Sequence, residues 1–134
     1  MSEPVFVALL FADRVIVENN GKKGIVGTFN VFHAPVFPVV FPPWFIYAAV
    51  TNLTGKHNFA LTLVHDESQQ VIVPFNGEFE APSPDVVVEL APGLMNVSFP
   101  RAGLYTLNFA VDGEALASRS LYVRQIEHPG AAPG

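Results

Sequence analysis

The sequence has 134 residues and no cysteine. That excludes disulfides, thiolate zinc sites and a cysteine nucleophile, and it fits a reducing compartment. Charge is also scarce. Asp, Glu, Lys and Arg make up 14% of the chain, against about 25% in ordinary domains. Half of the residues are hydrophobic, so there is little polar material to cover a surface. Apolar surface is therefore expected to stay exposed or to be covered by another chain. Basic residues are the scarcer kind, 7 against 12 acidic, for a formal charge of −5. Phosphate binding needs clustered Lys and Arg. Only Lys22 and Lys23 are adjacent, in a turn, so nucleic acid is not an expected partner.

Two membrane signals are missing as well. Val5–Ala12 has the length of a signal-peptide core, but Glu3 precedes it where Lys or Arg would stand. A buried first strand is the expectation. Gly24–Gly55 contains no Asp, Glu, Lys or Arg, yet Pro35, Pro38, Pro42 and Pro43 interrupt it. A spanning helix needs about 20 apolar residues with every backbone bond closed internally. No membrane association is expected, and the location expected is the cytoplasm.

Helical periodicity is nearly absent too. Short runs rich in Val, Ile, Phe, Thr and Tyr alternate with Gly, Pro, Asn and Asp, the pattern of an all-β domain. Strands are expected at about 5–11, 13–18, 25–32, 44–52, 58–66, 70–75, 85–90, 94–99, 103–111 and 115–124. The fold class that follows is all-β with little or no helix, a two-sheet antiparallel sandwich. It is read as one domain over residues 1–127 with a disordered Pro/Gly/Ala tail at 128–134.

Several segments carry finer expectations. Val5–Phe11 is apolar on both faces and should be a covered strand. At Asp13-Arg14 the pattern breaks, which reads as a bulge or kink, or else as a buried Asp–Arg pair. Asn20-Gly21 suits a turn with positive φ. Gly27 inside a strand suggests a bulge or a close backbone approach. Phe59, Leu61 and Leu63 share one face of their strand and should face the core. Tyr105, Leu107, Phe109 and Val111 alternate up to Asp112-Gly113, a strong hairpin signal.

The stretch Phe99–Gly113, with its Pro100 and Gly103-Leu104-Tyr105, resembles the late hairpin of immunoglobulin-like domains. There a tyrosine near the strand start hydrogen-bonds back across a corner, and Tyr105 would take that role. The whole chain is similar to a family of small uncharacterised bacterial proteins. The matching features are Leu9–Asp13, Gly21–Phe29, the Phe/Pro-rich stretch at 37–44 and the closing hairpin. That resemblance implies a bacterial, immunoglobulin-like protein of unknown function and carries over no site residues.

The residues of chemistry are scattered. His33, His57, His65 and His128 show no chelating spacing, and His57 and His65 lie about 26 Å apart at ~3.3 Å per strand residue. No metal or other cofactor is expected. There is no Gly-x-Ser-x-Gly elbow and no phosphate-binding glycine loop. Glu78 and Glu80 read as charges that protect a sheet edge. An enzyme would need a site assembled across loops, for instance from His65, Asp66 and Asp13, so a catalytic role is not the expectation.

The unusual segment is 34–45, with four prolines, four aromatics and no charge. Proline keeps most of it out of a central sheet, and its aromatic rings need somewhere dry. It could plug the open end of the sandwich. It could pack on another copy, which makes the protein a homo-oligomer or an interaction module. Or Phe41, Trp44 and Tyr47 could offer stacking faces to a sugar or peptide. Phe37, Phe41, Trp44 and Tyr47 are the candidate contact residues, and self-association through 34–45 is the leading functional expectation.

Overall fold

Alternating apolar and polar residues become strand nearly everywhere. The computed structural model describes residues 3–127, so the expected disordered tail at 128–134 lies outside them. The strands are β1 (Val5–Val17), β2 (Lys23–Phe29), β3 (Val31–Ala34), β4 (Val39–Val40), β5 (Trp44–Thr51) and β6 (Gly55–His65). They continue with β7 (Gln70–Ala81), β8 (Val88–Leu90), β9 (Gly93–Leu94), β10 (Ser98–Phe99), β11 (Gly103–Val111) and β12 (Glu114–Gln125). No helix occurs among the described residues. One sheet has the order β2-β1-β5-β8, with β9 also on β5. The other runs β3-β12-β11-β6-β7, and β4 with β10 makes a two-stranded ribbon.

Both sheets are curled, and they share one core. Leu9, Phe11, Ile46 and Val50 come from the first sheet, and Leu61, Leu63, Leu107, Phe109, Leu121 and Val123 from the second. The expected face of Phe59, Leu61 and Leu63 does point inward. Burying each such side chain stabilises by roughly 1.5–3 kcal/mol, so the alternation that drives this collapse also sets the register.

The second sheet is not wholly antiparallel as expected. β3 lies parallel to β12, pairing Val31 with Tyr122 through Ala34 with Gln125. The strand expected at 25–32 divides at Asn30, whose carbonyl accepts the Tyr122 N–H at 2.9 Å. β2 thus ends in the first sheet and the chain enters the second beside β12. The strand expected at 94–99 also divides, because Asn96 takes a left-handed φ of 59° between β9 and β10.

The first strand differs most from expectation. It runs unbroken through Asp13-Arg14, both exposed, with no ion pair between them. The irregularity lies instead against β5, between Phe6 and Ala8. Val5, Phe6 and Val7, expected to be covered, are 49%, 42% and 46% exposed. β2 pairs with β1 only from Phe11 onward, so nothing from β2 shelters this end. At Gly27 the register with β1 runs on without a bulge, and the close approach is to the Asp13 side chain. The Gly27 φ is +72°, and a Cβ there would collide with the Asp13 carboxylate on the neighbouring strand.

The turns obey local chemistry. Asp112 and Gly113 have φ of 50° and 83°, the two positive values a type I′ turn requires. At the first hairpin only Gly21 is left-handed, after a Glu18–Gly21 turn closed at 2.9 Å. β7 is the edge of its sheet, and Pro74, Glu78 and Glu80 are all exposed along it. Those residues discourage a further strand from pairing there.

Candidate functional site

The proline-rich segment turns its rings inward. Trp44 is 2% exposed and lies among Phe11, Phe29, Phe32 and Phe99, with centroids 5.7–6.3 Å away. Phe41 stacks on Phe32 at 4.1 Å with an 18° interplanar angle, and meets Phe99 edge-on at 5.5 Å. Phe37 is half-buried against the same core. Each such aromatic pair is worth about 0.5–1.5 kcal/mol beyond its burial. Val39 and Val40 pair with Phe99 and Ser98, so the segment is tied down by backbone bonds as well. What it shows to solvent is Val36 and Val40 together with Pro38, Pro42 and Pro43.

Tyr47 does not join these residues. It lies on β5, where Trp44, Ile46, Ala48 and Val50 face the shared core, and the alternation of the strand sends Tyr47 to the reverse face. It is 8% exposed there. Its hydroxyl donates to Glu89 Oε2 on β8, and Lys23 Nζ lies 3.7 Å from Glu89 Oε1. β2 and β8 stand at opposite ends of the strand order, so the long side chains of Lys23 and Glu89 reach toward each other across the sheet. Burial, and then the bond to Glu89, push the Tyr47 phenol well above its ordinary range.

Of the three residues named for a loop-assembled active site, Asp13 lies apart from the adjacent His65 and Asp66, in the other sheet. Asp13 sits on the first sheet opposite Gly27, and its backbone pairs with neither His65 nor Asp66. His65 and Asp66 close the β6–β7 turn. His65 is buried, 1% exposed. Its Nδ1 accepts the Ser68 N–H at 3.2 Å and lies 2.7 Å from Ser68 Oγ. An N–H can only donate, so this network assigns the ring proton to Nε2. The ring packs edge-on against Tyr105 at 4.9 Å. Asp66 accepts from Thr106 Oγ1 at 2.6 Å. Both groups are occupied in fastening the turn to β11.

Tyr105 behaves as the resemblance implied. Fully buried, it donates its hydroxyl to Arg101 O at 2.6 Å, four residues upstream. Burial raises its pKa.

One pair escaped the sequence reading. His57 Nδ1 is 2.6 Å from Asp112 Oδ2, and Nε2 is 2.9 Å from Thr54 O. Asp112 Oδ1 also accepts the Asn58 N–H at 2.9 Å. The hydrogen bond to Asp112 raises the His57 pKa, and the same bond lowers that of Asp112. The partners are 55 positions apart, so no local motif announces them. The cue was Asp112 in an Asp-Gly turn, read for its backbone alone.

No grouping of three or more metal-ligating side chains occurs among the described residues, and no helix is long and apolar enough to cross a membrane. A shallow depression of about 460 Å³ over the first turn is lined by Val17, Glu18, Asn19 and Asn20. It holds no histidine, lysine or nucleophile.

Residues 7–124 match the model of a family described as a family of unknown function, DUF6941. The chain belongs to that family. No curated protein sequence matches it. The DUF6941 match runs from Val7, near the exposed start of β1, to Arg124, one residue short of the end of β12, so it takes in the Trp44 cluster, the Tyr105 corner and the His57–Asp112 pair together.

Proposed function

We propose that this DUF6941 domain is a non-catalytic interaction module that associates with further copies of itself through exposed apolar strand surface. The observation that carries the reading is the first hairpin. Seven of the fourteen large apolar side chains exposed among the described residues lie on β1 and β2: Ile16, Val17, Ile25 and Val26 beside the first turn, and Val5, Phe6 and Val7 at the far end of β1. Apolar side chains left exposed in such number on one pair of strands favour a contact surface there. In this reading the 34–45 segment takes part through Val36 and Val40, while Phe37, Phe41 and Trp44 brace it from within.

The occupied state of the polar groups supports a role without catalysis. Both ring nitrogens of His57 face acceptors, and His65 is fastened in its turn. A sugar- or peptide-stacking role for Trp44 is the weaker alternative, because its ring is surrounded by four phenylalanines. The Tyr105 corner favours an immunoglobulin-like relationship between the sheets, and the lack of cysteine fits a reducing compartment such as the cytoplasm. Sedimentation velocity across a concentration series tests the reading. A wild type that stays monomeric at high micromolar concentration would end it.

A further inference from the structure

Thr54 and Asp112 belong to connections that the fold must hold in place. Thr54 lies in the crossover from β5 to β6, which carries the chain from one sheet to the other. Leu53, 3% exposed, anchors that crossover in the core, while Asn52 and Gly55 hold left-handed φ of 71° and 86°. Asn52 further bonds Glu3 O through its side chain and Pro84 O through its backbone. Asp112 is the tip of the β11–β12 hairpin, held to Asn58 by its carboxylate and by its N–H. The His57 ring lies between the two connections.

A carboxylate and a carbonyl can only accept hydrogen bonds. The contacts from Nδ1 to Asp112 and from Nε2 to Thr54 therefore need a proton on both nitrogens. A neutral imidazole has only one. We infer that His57 is a proton-operated tie between the sheet-to-sheet crossover and the β11–β12 turn. Protonated, the ring bridges both. Deprotonated, it keeps one proton to donate and presents a lone pair to the other acceptor, so one contact must open.

The contact that opens is the one to Thr54. Asp112 is a charged acceptor fixed by two bonds to Asn58, and charge-assisted bonds are the stronger kind. Thr54 is exposed, between two left-handed residues. The other surroundings agree. From β7 the packed group is the uncharged ring of Phe79, stacked at 5.6 Å. Glu78 and Glu80 flank Phe79, opposite Asn58 and Lys56. Glu114 follows the turn that bears Asp112. Lys56, the one nearby cation on the same strand, stands across from Glu80.

The experiment is an NMR titration of the full chain, following the His57 ring nitrogens and the backbone amides of Thr54 and Gly55. The expected result is a His57 midpoint above the ordinary 6.5, with both nitrogens protonated below it. The Thr54 and Gly55 signals should move with that same midpoint. Asp112→Asn should lower the midpoint, and His57→Gln should remove the pH response of the two amides. A wild-type midpoint at or below 6.5, or crossover amides that ignore the His57 titration, would overturn the proposal, whatever the variants do.

Discussion

At the scale of single residues, Tyr105 and the His57–Asp112 pair behave in opposite ways. The Tyr105 bond to Arg101 O lies within a stretch of five residues, so its end points are fixed by the corner itself. Tyr105→Phe keeps the ring against Phe99 and His65 and deletes one hydrogen bond of a fully buried hydroxyl. Such a bond is worth roughly 0.5–1.5 kcal/mol, and urea unfolding should show a loss of that size with an unchanged m-value. His57–Asp112 is an exposed pair, for which about 1 kcal/mol is the upper range. Its sign with pH follows from the two shifts. The raised His57 value gives a contribution that is full below the ordinary 6.5 and fades as pH rises through the folded value. The lowered Asp112 value gives one that is full above the ordinary 3.8 and fades as pH falls through its folded value. The pair therefore helps most between these limits. The stability difference between wild type and His57→Gln, measured by urea melts, should be largest near pH 5 and should shrink toward both acid and alkaline pH.

At the scale of elements, what the sequence disclosed depended on how local the cause was. The β11–β12 hairpin was legible because alternation and an Asp-Gly turn are both short-range, and its first strand begins and ends where expected. The inward face of β6 was legible for the same reason. The step from β2 to β3 was not, because it is decided by Tyr122 pairing with Asn30 from the far end of the chain. The exposure of Val5–Val7 was not legible either, since apolar composition does not reveal that β2 stops pairing at Phe11. The candidate contact residues were legible only as a group needing dry surroundings. Alternation along β5 could have separated Tyr47 from Trp44, but no local signal shows which face a curled sheet will cover. The geometry of the 34–45 segment leads to a direct expectation. Phe41 contributes two aromatic contacts from a half-buried position, so Phe41→Ser should cost about 2–4 kcal/mol, in the range of truncating a core aromatic. Val40→Ser, on an exposed side chain of the same ribbon, should stay within about 0.5 kcal/mol. Comparable losses for both would mean that the aromatic cluster is not what holds the segment.

At the scale of the whole molecule, scarcity of charge and surplus of apolar surface have to be reconciled. The fold does so for the aromatic rings by folding 34–45 against the core and by setting Tyr47 against Glu89 of the neighbouring strand. It does not do so for the first hairpin, where Val17 is 67% exposed at the strand end. A specific interface usually buries about 800 Å² per partner, which the hairpin would have to supply together with its neighbours. Val17→Lys separates association from stability. The side chain is exposed in the protomer, so unfolding should change by no more than about 0.5 kcal/mol. Added lysine also reduces the net charge of −5, which on electrostatic grounds alone would draw two copies together. If the hairpin is the contact surface, sedimentation should nevertheless show association weakened by about tenfold, the equivalent of roughly 1.4 kcal/mol of lost apolar contact. Unchanged association in Val17→Lys, alongside a wild type that does associate, would move the contact away from the hairpin. Tighter association would show that charge repulsion, not apolar surface, sets the oligomeric state.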